Sequence, residues 1–189
     1  MNARIVNLPE PGEVLETALF YAGAGIPLFP CKPNKAPATA SGFKSSTTDP
    51  EQVKKWFDSG EKLIGVPTGE IVCIDVEDEP TAAAFETELF KAGIGALVRQ
   101  ETPSGGAHFL FKSEGEPIKN TKLARAKEGG KSGLLIETRG AGGYICTGTG
   151  YQWQRGDLTQ LTTLSSEQVE DVLSIARSFD RLPKQRKPS

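Results

Sequence analysis

The segment Ile71-Val72-Cys73-Ile74-Asp75-Val76-Glu77-Asp78 runs from apolar residues into acids. In a strand, alternate side chains share a face, so Asp75 and Glu77 project together from the strand's end. Two neighbouring carboxylates repel unless something cationic neutralises them. A hard divalent ion such as Mg²⁺ or Mn²⁺ does so through oxygen ligands. The competing explanation is a strand end passing into a solvated acidic loop. Asp78 and Glu79 fit that explanation, as charges favouring the start of a following helix.

Thr102-Pro103-Ser104-Gly105-Gly106-Ala107-His108 holds the only histidine of the chain. A lone histidine is as often structural as functional. This one follows a Gly-Gly turn, whose amides and Ser104 hydroxyl can cradle a phosphate, and its strand pairs with a neighbour carrying Arg99. A third signal is Glu137, which follows Leu134-Leu135-Ile136. An acid there is costly to bury alone and cheap if it completes a three-carboxylate site with Asp75 and Glu77. Arg139, two residues on, shares its face and can contact a phosphate oxygen; the alternative is a Glu–Arg surface pair on an edge strand. Zinc proteases of the HEXXH type, two-histidine nucleases and zinc deaminases need more His or Cys than these. Gly129-Gly130-Lys131-Ser132 ends like a phosphate-binding loop, but Arg125 stands where its first glycine is required and the stretch precedes a strand, which excludes a Walker ATPase.

The elements that must hold these residues follow from periodicity. Residues 10–24 read as a helix, 26–30 as a short strand, and 31–48 as a loop. A second helix starts at Asp49, with Pro50 in its first turn. Residues 63–67 and 71–76 read as a hairpin across Thr68-Gly69-Glu70, and 79–92 as a helix. Residues 97–102 and 107–111 form a second hairpin. Residues 134–139 and 144–148 form a third strand pair around Gly140-Ala141-Gly142-Gly143, after a polar, basic and mobile stretch at 112–133. A last helix covers 165–179. This order predicts an α+β domain on a largely antiparallel sheet.

The chain has 189 residues, 37% hydrophobic and 24% charged, enough to bury a core. Its 21 glycines and 13 prolines argue against a helical bundle. Three widely spaced cysteines, Cys31, Cys73 and Cys146, form neither a disulfide framework nor a zinc pair. No apolar stretch is long enough for a bilayer and the N-terminus lacks a signal peptide's apolar run, so a soluble intracellular protein is expected. The formal charge of −2 excludes a uniformly basic nucleic-acid coat. Its distribution is uneven: residues 67–90 hold seven acids and no base, whereas 117–133 hold five bases and one acid. The tail 181–189 adds four bases and reads as a linker.

An acid-x-acid pair ending one strand, a histidine on the next hairpin and a third acid on a later strand resemble the three motifs of the archaeo-eukaryotic primase superfamily. The resemblance is closer to its bifunctional primase-polymerase branch, found on plasmids, phages and integrated elements. It extends over roughly residues 12–150 and includes Lys35-Ala36-Pro37, Gly42-Phe43-Lys44, Thr48-Asp49-Pro50 leading to Trp56, Gly65-Val66-Pro67-Thr68-Gly69 and Arg139 to Tyr144. The resemblance implies an RRM-like, largely antiparallel sheet with flanking helices and an N-terminal α/β unit. Residues 1–180 would be the catalytic domain and 181–189 a basic tail.

By the same resemblance Asp75, Glu77 and Glu137 ligate catalytic Mg²⁺ or Mn²⁺, with Glu137 where the family often has Asp. His108 contacts the triphosphate of an incoming NTP or dNTP, and Ser104, Arg139, Lys35 and Lys44 assist it. The basic stretch at 117–133 follows the phosphates of a single-stranded DNA template. The zinc-binding cluster of some relatives is absent. The implied activity is primer synthesis, primer extension or both, beside a helicase in cis or in trans, in a prokaryotic or phage-infected cytoplasm. Two other activities suit the same residues: a non-catalytic replication-initiation module, and a metal-dependent nuclease or phosphoesterase.

Overall fold

The computed structural model describes residues 13–58, 60, 63–128 and 131–182. They form two compact units, one of residues up to Pro67 with Tyr144–Gln152, the other of Thr68–Gly143 with Trp153 onward.

In the first unit α1 (Val14–Gly23) and α2 (Pro50–Phe57) accompany a three-stranded sheet of β1 (Phe29–Cys31), β2 (Leu63–Pro67) and β8 (Tyr144–Thr147), in the order β1-β2-β8. α2 is capped by Asp49, whose carboxylate accepts from the Glu51 amide, with proline in the first turn. Phe29, Cys31, Leu63, Cys146 and Tyr151 form the core of this unit. Gly65 on the central strand leaves room for it: a Cβ there would lie 2.5 Å from the Phe29 ring and 2.7 Å from Cys31 Sγ.

The second unit is built on a larger sheet. Its strands are β3 (Ile71–Val76), β4 (Val98–Glu101), β5 (Ala107–Ser113), β6 (Thr121–Glu128), β7 (Lys131–Arg139) and β9 (Gln152–Arg155), in the order β6-β7-β3-β5-β4-β9. The short β10 (Thr163–Leu164) adds in parallel to β5. β3 pairs antiparallel with both β5 and β7, so it is central. Val72, Ile74 and Val76 point to one face, where α3 (Glu79–Lys91) and α4 (Ser166–Ser178) bury them with Phe85, Leu89, Phe109, Val172 and Ala176. The Phe85 and Phe109 rings meet edge to face at 5.2 Å. Asp78 caps α3 by accepting from the Thr81 amide at 2.8 Å, and Ser165 with Gln168 forms a capping box on α4. The helix-covered face also holds Arg99, ion-paired with Glu79 and Glu86 and stacked on Phe109.

The fold is therefore α+β on a largely antiparallel sheet, as the element order predicts. Three local expectations are corrected. β2 and β3 are not a hairpin but belong to different sheets, because Thr68 bonds not to β3 but to the 140–143 turn: its amide donates to the Gly143 carbonyl at 3.0 Å and its hydroxyl to the Gly140 carbonyl at 2.6 Å. β7 and β8 likewise separate, β7 pairing with β6 and β3 while β8 pairs with β2. The basic stretch at 112–133 is not a mobile loop; β6 occupies much of it and buries Leu123, Ala124 and Ala126. Arg99 lies on the strand paired with that of His108, as the hairpin implies, opposite Phe109 and facing the helices. The tail at 183–189 and the start of the first expected helix lie outside the described residues.

Candidate active site

The face of the large sheet away from α3 and α4 carries the candidate residues. Antiparallel pairing sets them in one row: Gln100 opposite His108, His108 opposite Asp75, Asp75 opposite Glu137, and Glu137 opposite Lys122. Cross-strand neighbours in such a row have their side chains in contact range. Five strands thus place two carboxylates, an imidazole, an amide and an ammonium side by side. Glu77 joins from the end of β3, where its amide donates to the Leu135 carbonyl at 2.9 Å. One carboxylate oxygen from each of Asp75, Glu77 and Glu137 lies within 4.8 Å of the others.

The electrostatics follow from this crowding. Glu137 is 8% exposed, and burial raises its pKa above the ordinary carboxylate value; Arg139 opposes the rise, Asp75 adds to it and Lys122 opposes it. Arg139 is hydrogen-bonded to Glu137 through Nη2, and its Nε lies 3.9 Å from Asp75 Oδ2. Asp75 Oδ1 lies 3.6 Å from His108 Nε2. Cys73, one step back on the same face of β3, is buried, and its thiol is pushed up by that burial and by Asp75. An all-oxygen, convergent, under-neutralised donor set fits a hard divalent cation better than it fits zinc or copper.

The turn between β4 and β5 is held from within. The Gly105 amide donates to the Thr102 carbonyl at 2.9 Å, and the Gly106 amide to Thr102 Oγ1 at 3.1 Å. Ser104 Oγ lies 3.2 Å from the same hydroxyl. Gly106 packs its backbone against the end of β3: an added Cβ would sit 2.1 Å from the Val76 carbonyl oxygen. Gly106→Ala is therefore expected to destabilise by roughly 2–3 kcal/mol, a fall of about 5–10 °C in Tm. A thermal melt checks it, and an unchanged Tm would show that the turn does not bear on β3.

Asp75, Glu77, His108, Glu137 and Arg139 are thus brought together, with Ser104 on the adjoining turn. Lys35 and Lys44 stand in the first unit, Lys35 at a positive φ of 70° in the loop after β1 and Lys44 in a short 3-10 helix, Gly42–Ser45. Gln100 was missed, and Lys122 was read only as part of the basic stretch. Gln100 follows from register, since β4 and β5 pair symmetrically about Ser104 and put it opposite His108; Lys122 comes opposite Glu137 only through the irregular β6–β7 pairing.

The family model for the bifunctional DNA primase/polymerase N-terminal domain, Prim-Pol, matches residues 18–167. The chain belongs to the Prim-Pol family. The match spans the candidate site in full, from β3 through β7, and most of both compact units. No curated protein sequence matches the chain. Among the described residues no helix is long and apolar enough to cross a membrane.

Proposed function

We propose that this chain is a template-directed nucleotidyltransferase that makes DNA primers, extends them, or both. The observation that carries the proposal is the convergence of Asp75, Glu77 and Glu137 beside His108 and Arg139 on one sheet face of a Prim-Pol chain. Asp75, Glu77 and Glu137 hold Mg²⁺ or Mn²⁺, which when bound activates the attacking 3′-hydroxyl and stabilises the leaving pyrophosphate. The chain's own residues orient the reactants: His108 and Arg139 hold the triphosphate, with Ser104 contributing a polar contact. The basic strand β6, with Lys122 and Lys127 exposed, follows the template phosphates without reading sequence.

Residues 1–180 act as the catalytic domain and 181–189 as a basic linker. A helicase, in cis or in trans, supplies the single strand during replication of a plasmid, phage or integrated element, and tethering compensates for weak DNA affinity at a net charge of −2.

The test is primer-free synthesis on single-stranded DNA with Mg²⁺ or Mn²⁺, offering NTPs and dNTPs in turn, followed by extension of a supplied primer. Products longer than the input support the proposal. DNA binding without synthesis under every condition favours an initiation module, and shortened input favours a nuclease.

Arg139 has two tasks in this scheme, since it neutralises Glu137 and Asp75 before a divalent ion arrives and the triphosphate afterwards. Arg139→Gln is accordingly expected to tighten Mn²⁺ binding to the nucleotide-free protein about three- to tenfold while weakening nucleotide binding. Calorimetric titrations measure both, and a fall in Mn²⁺ affinity would contradict the idea.

A further inference from the structure

Gln100 is fully buried on β4, on the same sheet face as the carboxylates. Its Nε2 lies 3.0 Å from His108 Nδ1. An amide nitrogen donates hydrogen bonds and does not accept them. His108 Nδ1 must therefore be the acceptor, and a neutral ring with an accepting Nδ1 carries its proton on Nε2. Nε2 is the nitrogen that faces the carboxylate cluster, 3.6 Å from Asp75 Oδ1. That distance exceeds a normal hydrogen bond, and it sets the direction of the N–H toward the carboxylate cluster.

We propose that Gln100 is a positioning residue that fixes His108 as the Nε2–H tautomer, making it a hydrogen-bond donor to a phosphate oxygen of the incoming nucleotide. With a proton on Nε2 the ring cannot serve there as a general base, so the role of His108 is to bind and orient. The residue type at position 100 fits this task. A glutamate would accept from Nδ1–H, invert the tautomer, and add another negative charge to a row that already holds Asp75 and Glu137. An aliphatic side chain would remove the donor that Gln100 presents to Nδ1. Gln100 supplies a neutral donor at 3.0 Å from Nδ1.

The inference rests on the proposed nucleotidyltransferase reading for its ligand but not for its tautomer. His108 is the only histidine, so ¹⁵N-labelled protein without a histidine tag gives one imidazole spin system. Two-bond ¹H–¹⁵N correlations, recorded without metal at a pH where the ring is neutral, identify which nitrogen is protonated. The wild type is expected to show Nε2–H, and Gln100→Glu to show Nδ1–H. Gln100→Met, which removes the donor and keeps the length, is expected to give averaged shifts and to raise the nucleotide KM about tenfold with a smaller change in kcat. An Nδ1–H wild type overturns the inference, as does a variant that folds and keeps the wild-type pattern, or an unchanged KM in Gln100→Met. If Gln100→Glu does not fold, Gln100→Met carries the same two readouts. A wild type that shows a Gln100-dependent Nε2–H but no synthesis would overturn the proposed function and still support the tautomer assignment.

Discussion

Asp75→Asn is expected to reduce template-directed synthesis on the order of 10³-fold or more while leaving Tm and DNA binding near wild type. Asp75 is the hub of the polar row. It lies opposite His108 on one neighbouring strand and Glu137 on the other, within 3.6 Å of the imidazole and 3.9 Å of the Arg139 guanidinium. Asparagine keeps the size and the strand position but removes the charge that counterbalances Arg139 and that the proposed divalent cation requires. Alanine at Glu77, which is exposed at the strand end, is expected to cost less. Steady-state primer extension with both variants checks the order, and an Asp75→Asn protein retaining a tenth or more of wild-type synthesis would remove Asp75 from the centre of the site.

Glu137→Gln should produce effects of opposite sign on stability and activity. In the folded protein burial, with Asp75 adding, raises the Glu137 pKa above its ordinary value near 4.5. A group whose folded pKa lies above its unfolded one favours the fold fully below the unfolded value, and that contribution is lost as pH rises through the folded value. Metal-free wild type should therefore lose stability as pH climbs from about 4.5, whereas Glu137→Gln, which cannot ionise, should lose less and be the more stable protein at neutral pH. The same variant should lose most of its synthesis and most of the Tm increase that Mn²⁺ gives the wild type. Melts across pH with and without Mn²⁺ separate the two effects. A variant less stable than wild type at pH 8 without metal would mean that the Arg139 pair outweighs the burial of Glu137.

The fold and the site were legible in the sequence to different depths. The β4–β5 hairpin was readable because Pro103-Ser104-Gly105-Gly106 fixes a turn whose symmetry dictates every pair along it. α3 was readable from the acids at Asp78 and Glu79 that favour a helix start, and α4 as a helix over 165–179, to which the structure adds the Ser165 capping box. The partners of β2 and β8 were not, since these strands pair with each other across nearly eighty intervening residues, and the local glycine turns beside both suggested nearer mates. β6 was hidden by composition: its lysines and arginine mask the buried Leu123, Ala124 and Ala126, and register shifts after Lys122 break the alternation that would have revealed a strand. The three carboxylates and His108 could be singled out by type. Gln100 could not, because a neutral amide carries no signal of its own until its cross-strand partner is known.

The outermost strand of the large sheet carries a consequence beyond substrate handling. A border strand offers unpaired peptide groups to any other chain, and long cationic side chains are a common deterrent to such docking. Lys122 and Lys127 stand exposed on β6, the terminal strand on that side among the described residues, where the Arg125 peptide is already covered: its amide donates to Asp180 Oδ1 at 3.0 Å and its carbonyl accepts from the Arg181 amide at 2.8 Å. The ammonium groups that would grip a polyanion thus also guard against self-association. Concentrated salt, which screens them, should loosen that guard as it releases the nucleic acid, so colloidal behaviour and template affinity should respond to ionic strength together.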